Sequence, residues 1–360
     1  MKRVLQVVST LNQGGMETVI LNYFSKMPKE KIMFDFLIIY GDKKGYHENF
    51  LFSQGCEIFR LKNSPRKFFA HGKELREFFK THDYDIVHIH AMTSLRYRVA
   101  KAAKKCGVKT VIYHSHNSSN ESHLWLHKWL KGRLNKWCDY KFACSHAAGN
   151  YMYYGAYDIV FNAIDLRHFE YNVEYREELR AKYELKDKFV IGNIARLTRV
   201  KNQMFLLRVA KIIKRSKANF VVFCIGEGAE RAQLQSYADE NGLNDNLILA
   251  GTVGTDVYKY YSMFDCLAFP SQFEGLSMVL IEAQANGVPI IASDRLTVEH
   301  KLSDNFIFLS IDESEENYNA WAEYICNGLD DRRNNDEKLQ AAGYDIVKEA
   351  SKLEELYLNL

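Results

Sequence analysis

Phe189-Val190-Ile191-Gly192-Asn193-Ile194-Ala195, then the segment 203–216, then Phe220-Val221-Val222-Phe223-Cys224-Ile225: this stretch decides the fold class. The outer runs are short, apolar and rich in β-branched residues, which reads as strand. Between them Met204, Leu207, Ala210 and Ile213 recur near helical spacing. The same rhythm extends outward in both directions. Candidate strands lie at 3–8, 35–40, 85–90, 110–114 and 141–144, and a second set at 189–195, 220–225, 247–251, 266–270 and 289–292. A helical pattern also covers 16–26. Such alternation predicts an α/β protein with parallel sheets covered by helices on both faces.

The rhythm fades over 160–178, where Asn162-Ala163-Ile164-Asp165 leads into a polar, aromatic stretch without period. A length of 360 residues suits two domains at roughly 100–200 residues each. We therefore expect domains at 1–165 and 166–342, with a closing helical segment at 343–360 that returns to the first. Only four Pro occur, so no long flexible linker is expected.

Hydrophobic residues make up 47% and charged residues 26%, an ordinary globular balance. The formal net charge of +3 gives no global field for nucleic acid, and none is expected as a partner. The seven Cys are odd in number, form no C-x-x-C pair, and in part sit inside apolar runs, as Cys224 does. They read as small core residues of a reducing compartment. The opening Met1-Lys2-Arg3-Val4-Leu5-Gln6 turns polar too soon for a signal peptide, and no run of 18 apolar residues occurs. A cytoplasmic chain is expected.

Open α/β sheets bind ligands outside the carboxyl ends of their strands. The loop after the strand at 266–270 is the most informative: Pro270-Ser271-Gln272-Phe273-Glu274-Gly275-Leu276-Ser277-Met278-Val279-Leu280-Ile281-Glu282-Ala283. Ser277 is a candidate N-cap, and Gly287 and Pro289 end a helix of about nine residues. Glu274 falls in the loop and Glu282 in the second turn. Gly275 lets backbone approach a ligand, and the N–H groups at the helix start favour oxygens. Two carboxylates with backbone donors between them suit a sugar and a ribose. A helix-start charge with an incidental helical glutamate fits the same spacing.

After the strand at 189–195 come Arg196 and Lys201, two cations at a strand–helix junction. Arg supplies a planar fork and Lys a point charge, which suits a diphosphate; a solvated basic loop is the plainer alternative. The loop Ser9-Thr10-Leu11-Asn12-Gln13-Gly14-Gly15-Met16-Glu17 offers a Gly pair for a tight turn and close approach of a phosphate. Ile225-Gly226-Glu227-Gly228 begins like a dinucleotide fingerprint but lacks the third Gly, and Glu227 would repel a pyrophosphate. Gly226 and Gly228 read as a turn able to line a nucleotide pocket.

His88–His90 and His114–His116 are two H-x-H pairs, each able to share a strand face. Neither has a carboxylate or Cys at ligand spacing, so no metal site is expected. His114, at a strand end, suits contact with a substrate hydroxyl. The segment 124–137 carries Trp125, Trp129 and Trp137 among Lys128, Lys131, Arg133 and Lys136, with Arg96, Arg98, Lys101, Lys104 and Lys105 nearby in sequence. It fits an anionic membrane surface, or equally a helix that packs Leu and Trp into the first core.

As a set, these pieces resemble the retaining glycosyltransferases of family 4, in the branch that builds bacterial capsules and exopolysaccharides. Glu274 and Glu282 match that family's E-x7-E motif. Arg196 and Lys201 match its basic pair, and Gly14-Gly15-Met16-Glu17 its first glycine loop. Tyr113-His114-Ser115-His116-Asn117, Ala143-Cys144-Ser145 and Glu282-Ala283-Gln284-Ala285-Asn286-Gly287-Val288-Pro289 also fit. Ala195 departs from the Gly that many relatives carry before the Arg.

The resemblance implies a GT-B fold, two Rossmann-like doubly wound domains facing a cleft, the first for acceptor and the second for nucleotide sugar. It implies metal-independent transfer, with retention, from a nucleotide-diphosphate sugar as co-substrate and no cofactor. UDP is the expected nucleotide. The acceptor would be a glycan or a polyprenyl-diphosphate-linked sugar, met on the inner face of the plasma membrane. By the same resemblance, Arg196 and Lys201 stabilise the departing diphosphate. Glu274 and the backbone of Gly275, Leu276 and Ser277 hold the sugar, and Glu282 holds the ribose. His114 and Gly15 line the reaction centre, with Glu17, His116 and Asn117 on the acceptor side. A sugar-nucleotide epimerase on the same fold is the nearer rival. A nicotinamide dehydrogenase would need a complete G-x-G-x-x-G, which the first glycine loop lacks.

Overall fold

A computed structural model of the chain describes residues 1–12, 14–39, 41, 43–117, 124–216, 219–328 and 330–360. The chain divides into two compact units, Met1–Ile164 with Gly343–Leu360, and Asp165–Ala342.

The first unit holds seven strands: β1 Lys2–Val8, β2 Ile32–Ile38, β3 Ile58–Arg60, β4 Ile86–Ala91, β5 Thr110–Ser115, β6 Tyr140–Ala143 and β7 Asp158–Ile159. They form one parallel sheet in the order β3-β2-β1-β4-β5-β6-β7. Strands such as Val4–Val8 and Ile86–Ile89 are buried throughout, because crossover helices cover both faces of a parallel sheet. The order reverses between β1 and β4, so the loops after these two strands flank a switch point, where such sheets take ligands. The last helix, Ile346–Asn359, packs on the first, Gly15–Lys26. Ile164 secures its start: its N–H donates to Tyr344 O at 3.0 Å, and Ile346 N–H donates to Ile164 O at 3.0 Å.

The second unit holds β8 Phe189–Ile194, β9 Phe220–Ile225, β10 Leu247–Gly251, β11 Cys266–Phe269, β12 Ile290–Ser293 and β13 Phe306–Leu309. These too are parallel, in the order β10-β9-β8-β11-β12-β13. Here the switch point lies between β8 and β11. The helix after β11 runs Met278–Asn286, nine residues, and ends on Gly287 at φ +77°. A Cβ there would lie 2.2 Å from Arg333 O, so only glycine fits.

Both units are therefore doubly wound parallel α/β sheets, as the strand–helix rhythm predicts. Three edge strands lie outside the expected set: β3, β7 and β13, of three, two and four residues. Edge strands this short carry too little apolar pattern to register. β2 begins earlier than expected because Ile32, Met33 and Phe34 are already buried. Tyr40, in the expected strand 35–40, lies outside the described residues.

Candidate functional site

The loops after β8 and β11, on either side of the second switch point, bring together most of the candidate donor-site residues. Lys201 and Glu274 form an ion pair, each side chain mostly buried. The loops are also joined through backbone, Gln272 N–H donating to Val200 O at 2.8 Å. Lys201 closes a 3-10 turn, Arg199–Lys201, and Asn202 exits it in the left-handed region at φ +56°.

Beneath this turn lies a polar floor. Asn193 Nδ2 donates to Ala268 O at 2.8 Å, tying β8 to β11, and Gln203 Nε2 reaches Asn193 Oδ1 at 3.2 Å and Arg196 O at 3.1 Å. Arg196 thus has a fixed backbone and an exposed side chain.

Gly226 and Gly228 have a packing reason to be glycine. A Cβ on Gly226 would lie 2.1 Å from Ala195 O, and one on Gly228 2.1 Å from Leu197 O. Gly226 also sits at φ +137°. Leu197 N–H donates to Glu227 O at 3.0 Å. The glycines let the 226–228 loop lie flat against the Arg196 loop, so the close approach they permit is first to backbone. Glu227 is turned to Arg231, 3.0 Å away.

Ser277 is the N-cap of the Met278–Asn286 helix, but its side chain makes no capping bond. Its N–H, expected as a ligand donor, is instead given to His300 Nε2 at 3.2 Å, while His300 Nδ1 lies 3.0 Å from Thr297 O. His300 is buried and its pKa lowered by that burial, so it serves as a neutral acceptor that fixes the loop. Leu276 is buried too, and the N–H groups of Met278, Val279 and Leu280 open the helix, where no intrahelical acceptor reaches them.

Glu282 lies buried in the second turn, accepting a hydrogen bond from Tyr261 Oη at 2.5 Å. Burial raises its pKa to about 7, against the lowering effect of that bond. Gln284 is saturated: it donates to Leu280 O and His300 O and accepts from the Leu302 and Ser303 N–H groups, all at 2.8–2.9 Å.

In the first unit, Gly14 caps the helix Gly15–Lys26 in extended conformation, and neither Gly14 nor Gly15 is left-handed. Gly15 faces open space, where a Cβ would meet nothing within 4 Å. Glu17 is buried; burial raises its pKa, and Thr10 Oγ1 donates to it at 3.1 Å. Gln13, within this loop, lies outside the described residues. Arg96, grouped with the surface basics by sequence, is instead buried, its guanidinium bonded to Ser9 Oγ after β1 and to His90 O on β4.

The two H-x-H pairs meet on one sheet face, because β4 and β5 pair with His90 opposite His114. His88 Nε2 lies 3.2 Å from His114 Nδ1, and His90 Nδ1 lies 2.8 Å from His116 Nε2. At the other ends, His88 Nδ1 is 2.5 Å from Tyr357 Oη and His90 Nε2 is 2.8 Å from Gln6 Oε1. Burial pushes His88 and His116 down to about 3, and His90 and His114 well below the usual range. The main-chain carbonyl of Val160 acts on His114 in the opposite sense. His88, His90 and His114 bring one nitrogen each to within 4.8 Å of the others, a spacing a metal could use. Of their six ring nitrogens, however, all but His114 Nε2 are already engaged in these hydrogen bonds. Asn117 follows half-buried at the strand end.

The family model described as Glycosyltransferase Family 4 matches residues 13–167, and that described as Glycosyl transferases group 1 matches 175–345. The chain belongs to glycosyltransferase family 4. The transferase is 29% identical to EpsF of Bacillus subtilis, described as a glycosyltransferase, over 99% of this chain and 96% of EpsF. It is 25% identical to the UDP-Gal:alpha-D-GlcNAc-diphosphoundecaprenol alpha-1,3-galactosyltransferase of Escherichia coli, covering 79% and 78% of the two chains. Among solved structures, Anabaena HepE in complex with UDP-glucose superposes with a TM-score of 0.77 at 16% identity, over 100% of each chain. The fold is accordingly GT-B, and the protein is a glycosyltransferase.

In the transferase, the helix Leu124–Leu134 divides its aromatic residues. Trp125 and Trp129 are 73% and 54% exposed, while Trp137, just beyond, packs on the core. Lys128, Arg133 and Lys136 are exposed; Lys131 is buried and donates to Asn150 O at 2.5 Å. Among the described residues, no helix is long and apolar enough to cross a membrane. Sequence reading passed over Gln6, Asn193, Tyr261, His300 and Tyr357. The only signal for Gln6 and Asn193 is a polar residue inside an otherwise apolar strand. For the others, partners more than twenty residues away leave no local signal.

Proposed function

We propose that this transferase moves a sugar from a UDP-sugar to a glycan or polyprenyl-diphosphate-linked acceptor, with retention and without a metal ion. The observation that carries the reading is the meeting of the Arg196–Lys201 loop with the Glu274 loop at the second switch point. As the glycosidic bond breaks, the departing diphosphate gains charge, which Arg196, Lys201 and the N–H groups at the start of the Met278–Asn286 helix are able to stabilise. Glu274 accepts from sugar hydroxyls and Glu282 from the ribose. The acceptor oxygen bonds to the anomeric carbon on the face the diphosphate leaves, and its proton passes to the departing phosphate. Two cations with a helix start supply the positive charge that a metal would otherwise bring.

Support for UDP and for a diphospho-lipid acceptor comes from what the Escherichia coli relative and the Anabaena structure bind. Such an acceptor places the enzyme at the cytoplasmic leaflet, where Trp125, Trp129, Lys128, Arg133 and Lys136 form the candidate contact. Calorimetric titration with UDP, GDP and ADP, followed by transfer assays with matching sugars, tests the reading. Preference for GDP or ADP, or an inverted anomer in the product, would overturn the corresponding part.

A further inference from the structure

Of the N–H groups from Phe273 to Ser277, in the loop after β11, only that of Ser277 is given to a protein acceptor among the described residues, and the acceptor is the ring of His300. Ser277 N–H donates to His300 Nε2 at 3.2 Å, and His300 Nδ1 lies 3.0 Å from Thr297 O. The ring is wholly buried. Behind it stands Gln284, on the helix Met278–Asn286 that carries Glu282. Its Nε2 donates to His300 O and Leu280 O, and its Oε1 accepts from Leu302 and Ser303 N–H.

Each of these side-chain atoms faces a main-chain group, so the polarity is settled throughout. A main-chain N–H can only donate and a main-chain carbonyl can only accept. Gln284 is therefore oriented one way. His300 carries its proton on Nδ1, where Thr297 O takes it, and its lone pair on Nε2, where Ser277 N–H needs it. A second proton, on Nε2, would set two donors head to head. Burial, the largest influence, lowers the pKa of His300 and keeps the ring neutral, against the carbonyls of Thr297 and Gly275 and the carboxylates of Glu274 and Glu299. Because a peptide unit is planar, holding the Ser277 N–H also fixes the Leu276 carbonyl. The N–H groups of Gly275 and Leu276 remain as open donors beside Glu274.

We propose that His300 is a positioning residue for sugar transfer: by taking the Ser277 N–H it fixes the loop so that Glu274 and the N–H groups of Gly275 and Leu276, and not that of Ser277, hold the donor sugar. Gln284 ties His300 to the helix that carries Glu282, so the sugar and ribose contacts share one support. The inference rests on the reading of the Glu274 loop as the sugar-holding part of the site.

An asparagine amide stands where Nδ1 stands in histidine, and a glutamine amide reaches the place of Nε2. His300→Asn therefore keeps a donor for Thr297 O and loses the acceptor for Ser277, while His300→Gln keeps that acceptor. Turnover of the UDP-sugar the wild type consumes, at saturating donor, should fall roughly 5- to 10-fold in His300→Asn and stay within about twofold of wild type in His300→Gln. Affinity for bare UDP, by calorimetry, should be unchanged in both, since neither variant alters Arg196, Lys201 or Glu282. Long-range proton–nitrogen spectra of the full chain, with nitrogen-15 in its histidines, should show His300 as Nδ1–H with a bare Nε2 near neutral pH; its signals are assigned by their loss in His300→Gln. Equal loss of turnover in the two variants, UDP affinity falling together with turnover in His300→Asn, or His300 as Nε2–H or imidazolium would each overturn the proposal. If His300→Asn does not fold, the spectra and His300→Gln carry the test, and a tenfold loss in His300→Gln would overturn it. The spectra need no donor, so a wild type that transfers no sugar counts against the proposed function while the state of His300 is still read.

Discussion

The ammonium of Lys201 is ion-paired with the carboxylate of Glu274, joining the loops that leave the adjacent strands β8 and β11. A diphosphate arriving beside Lys201 must compete with Glu274 for its charge, so the two residues are coupled.

Arg196→Ala and Lys201→Ala should each reduce transfer about 100- to 1000-fold, or roughly 3–4 kcal/mol, with the fold intact. Lys201→Ala should also weaken UDP binding more than Arg196→Ala does, because it leaves Glu274 unpaired beside the phosphates. Removing both Lys201 and Glu274 should restore part of that affinity. Glu274→Ala alone should slow transfer while UDP binds at least as tightly as before. Calorimetry with bare UDP and steady-state rates at saturating donor decide this; near-wild-type turnover in both cation variants would reject the assignment.

Glu282 gives a pH signature. Its folded pKa of about 7 lies above the ordinary carboxylate value, so the folded state resists ionisation. Below about pH 4.5 the group is protonated in both states and costs nothing. As pH rises towards 7 the unfolded chain ionises first, and the penalty grows to roughly 3 kcal/mol above that range. Glu282→Gln should therefore be more stable than wild type at pH 8 and indistinguishable near pH 4, while binding UDP more weakly. A constant stability difference across that range, in thermal melts, would contradict the buried carboxylate.

Of the basic residues of this helix, only the exposed ones should matter to membrane contact. Each contributes about 1 kcal/mol at an anionic surface and is screened by salt. Lys128→Glu, Arg133→Glu and Lys136→Glu together should release the protein from phosphatidylglycerol vesicles without unfolding it. Lys131 is left out because its buried bond to Asn150 makes it part of the structure. If the triple variant still sediments with the vesicles, or the wild type never does, the helix has no membrane role.

Transfer should survive EDTA, since Arg196 and Lys201 can do a cation's work. Activity lost in chelator and recovered with manganese or magnesium would refute a metal-free reaction.

Gly226→Ala and Gly228→Ala should destabilise the second unit by about 2 kcal/mol or more, because each Cβ meets a main-chain carbonyl of the Arg196 loop. Unfolding in urea measures it; unchanged stability in both would show that these loops separate freely.

Why the fold was legible and the site only half so can be traced to particular residues. Phe220–Ile225 and Phe189–Ile194 are buried on both faces, so their apolar runs carry the strand signal by themselves. Glu274, Glu282, Arg196 and Lys201 stand in loops and at helix starts, where strand order makes polar residues informative. What was hidden is pairing at long range. Nothing local marks Lys201 as the partner of Glu274, Tyr261 as the partner of Glu282, or Tyr357 as the partner of His88. The reading of Arg96 as a surface cation failed for the same reason: its neighbours in sequence are exposed, while its partners Ser9 and His90 are not neighbours in sequence. Ser277 occupies the capping position its sequence advertises, but the distant His300 takes its N–H.

The return of Gly343–Leu360 to the first unit sets an order of assembly on the ribosome. Residues 165–342 are contiguous and can fold as soon as they emerge, as domains made in one piece do. The first unit, although begun earlier, stays open until Tyr357 has been made and reaches His88. The first unit therefore closes after the second can, and a chain that stops before Tyr357 would carry a finished second unit and an unfinished first.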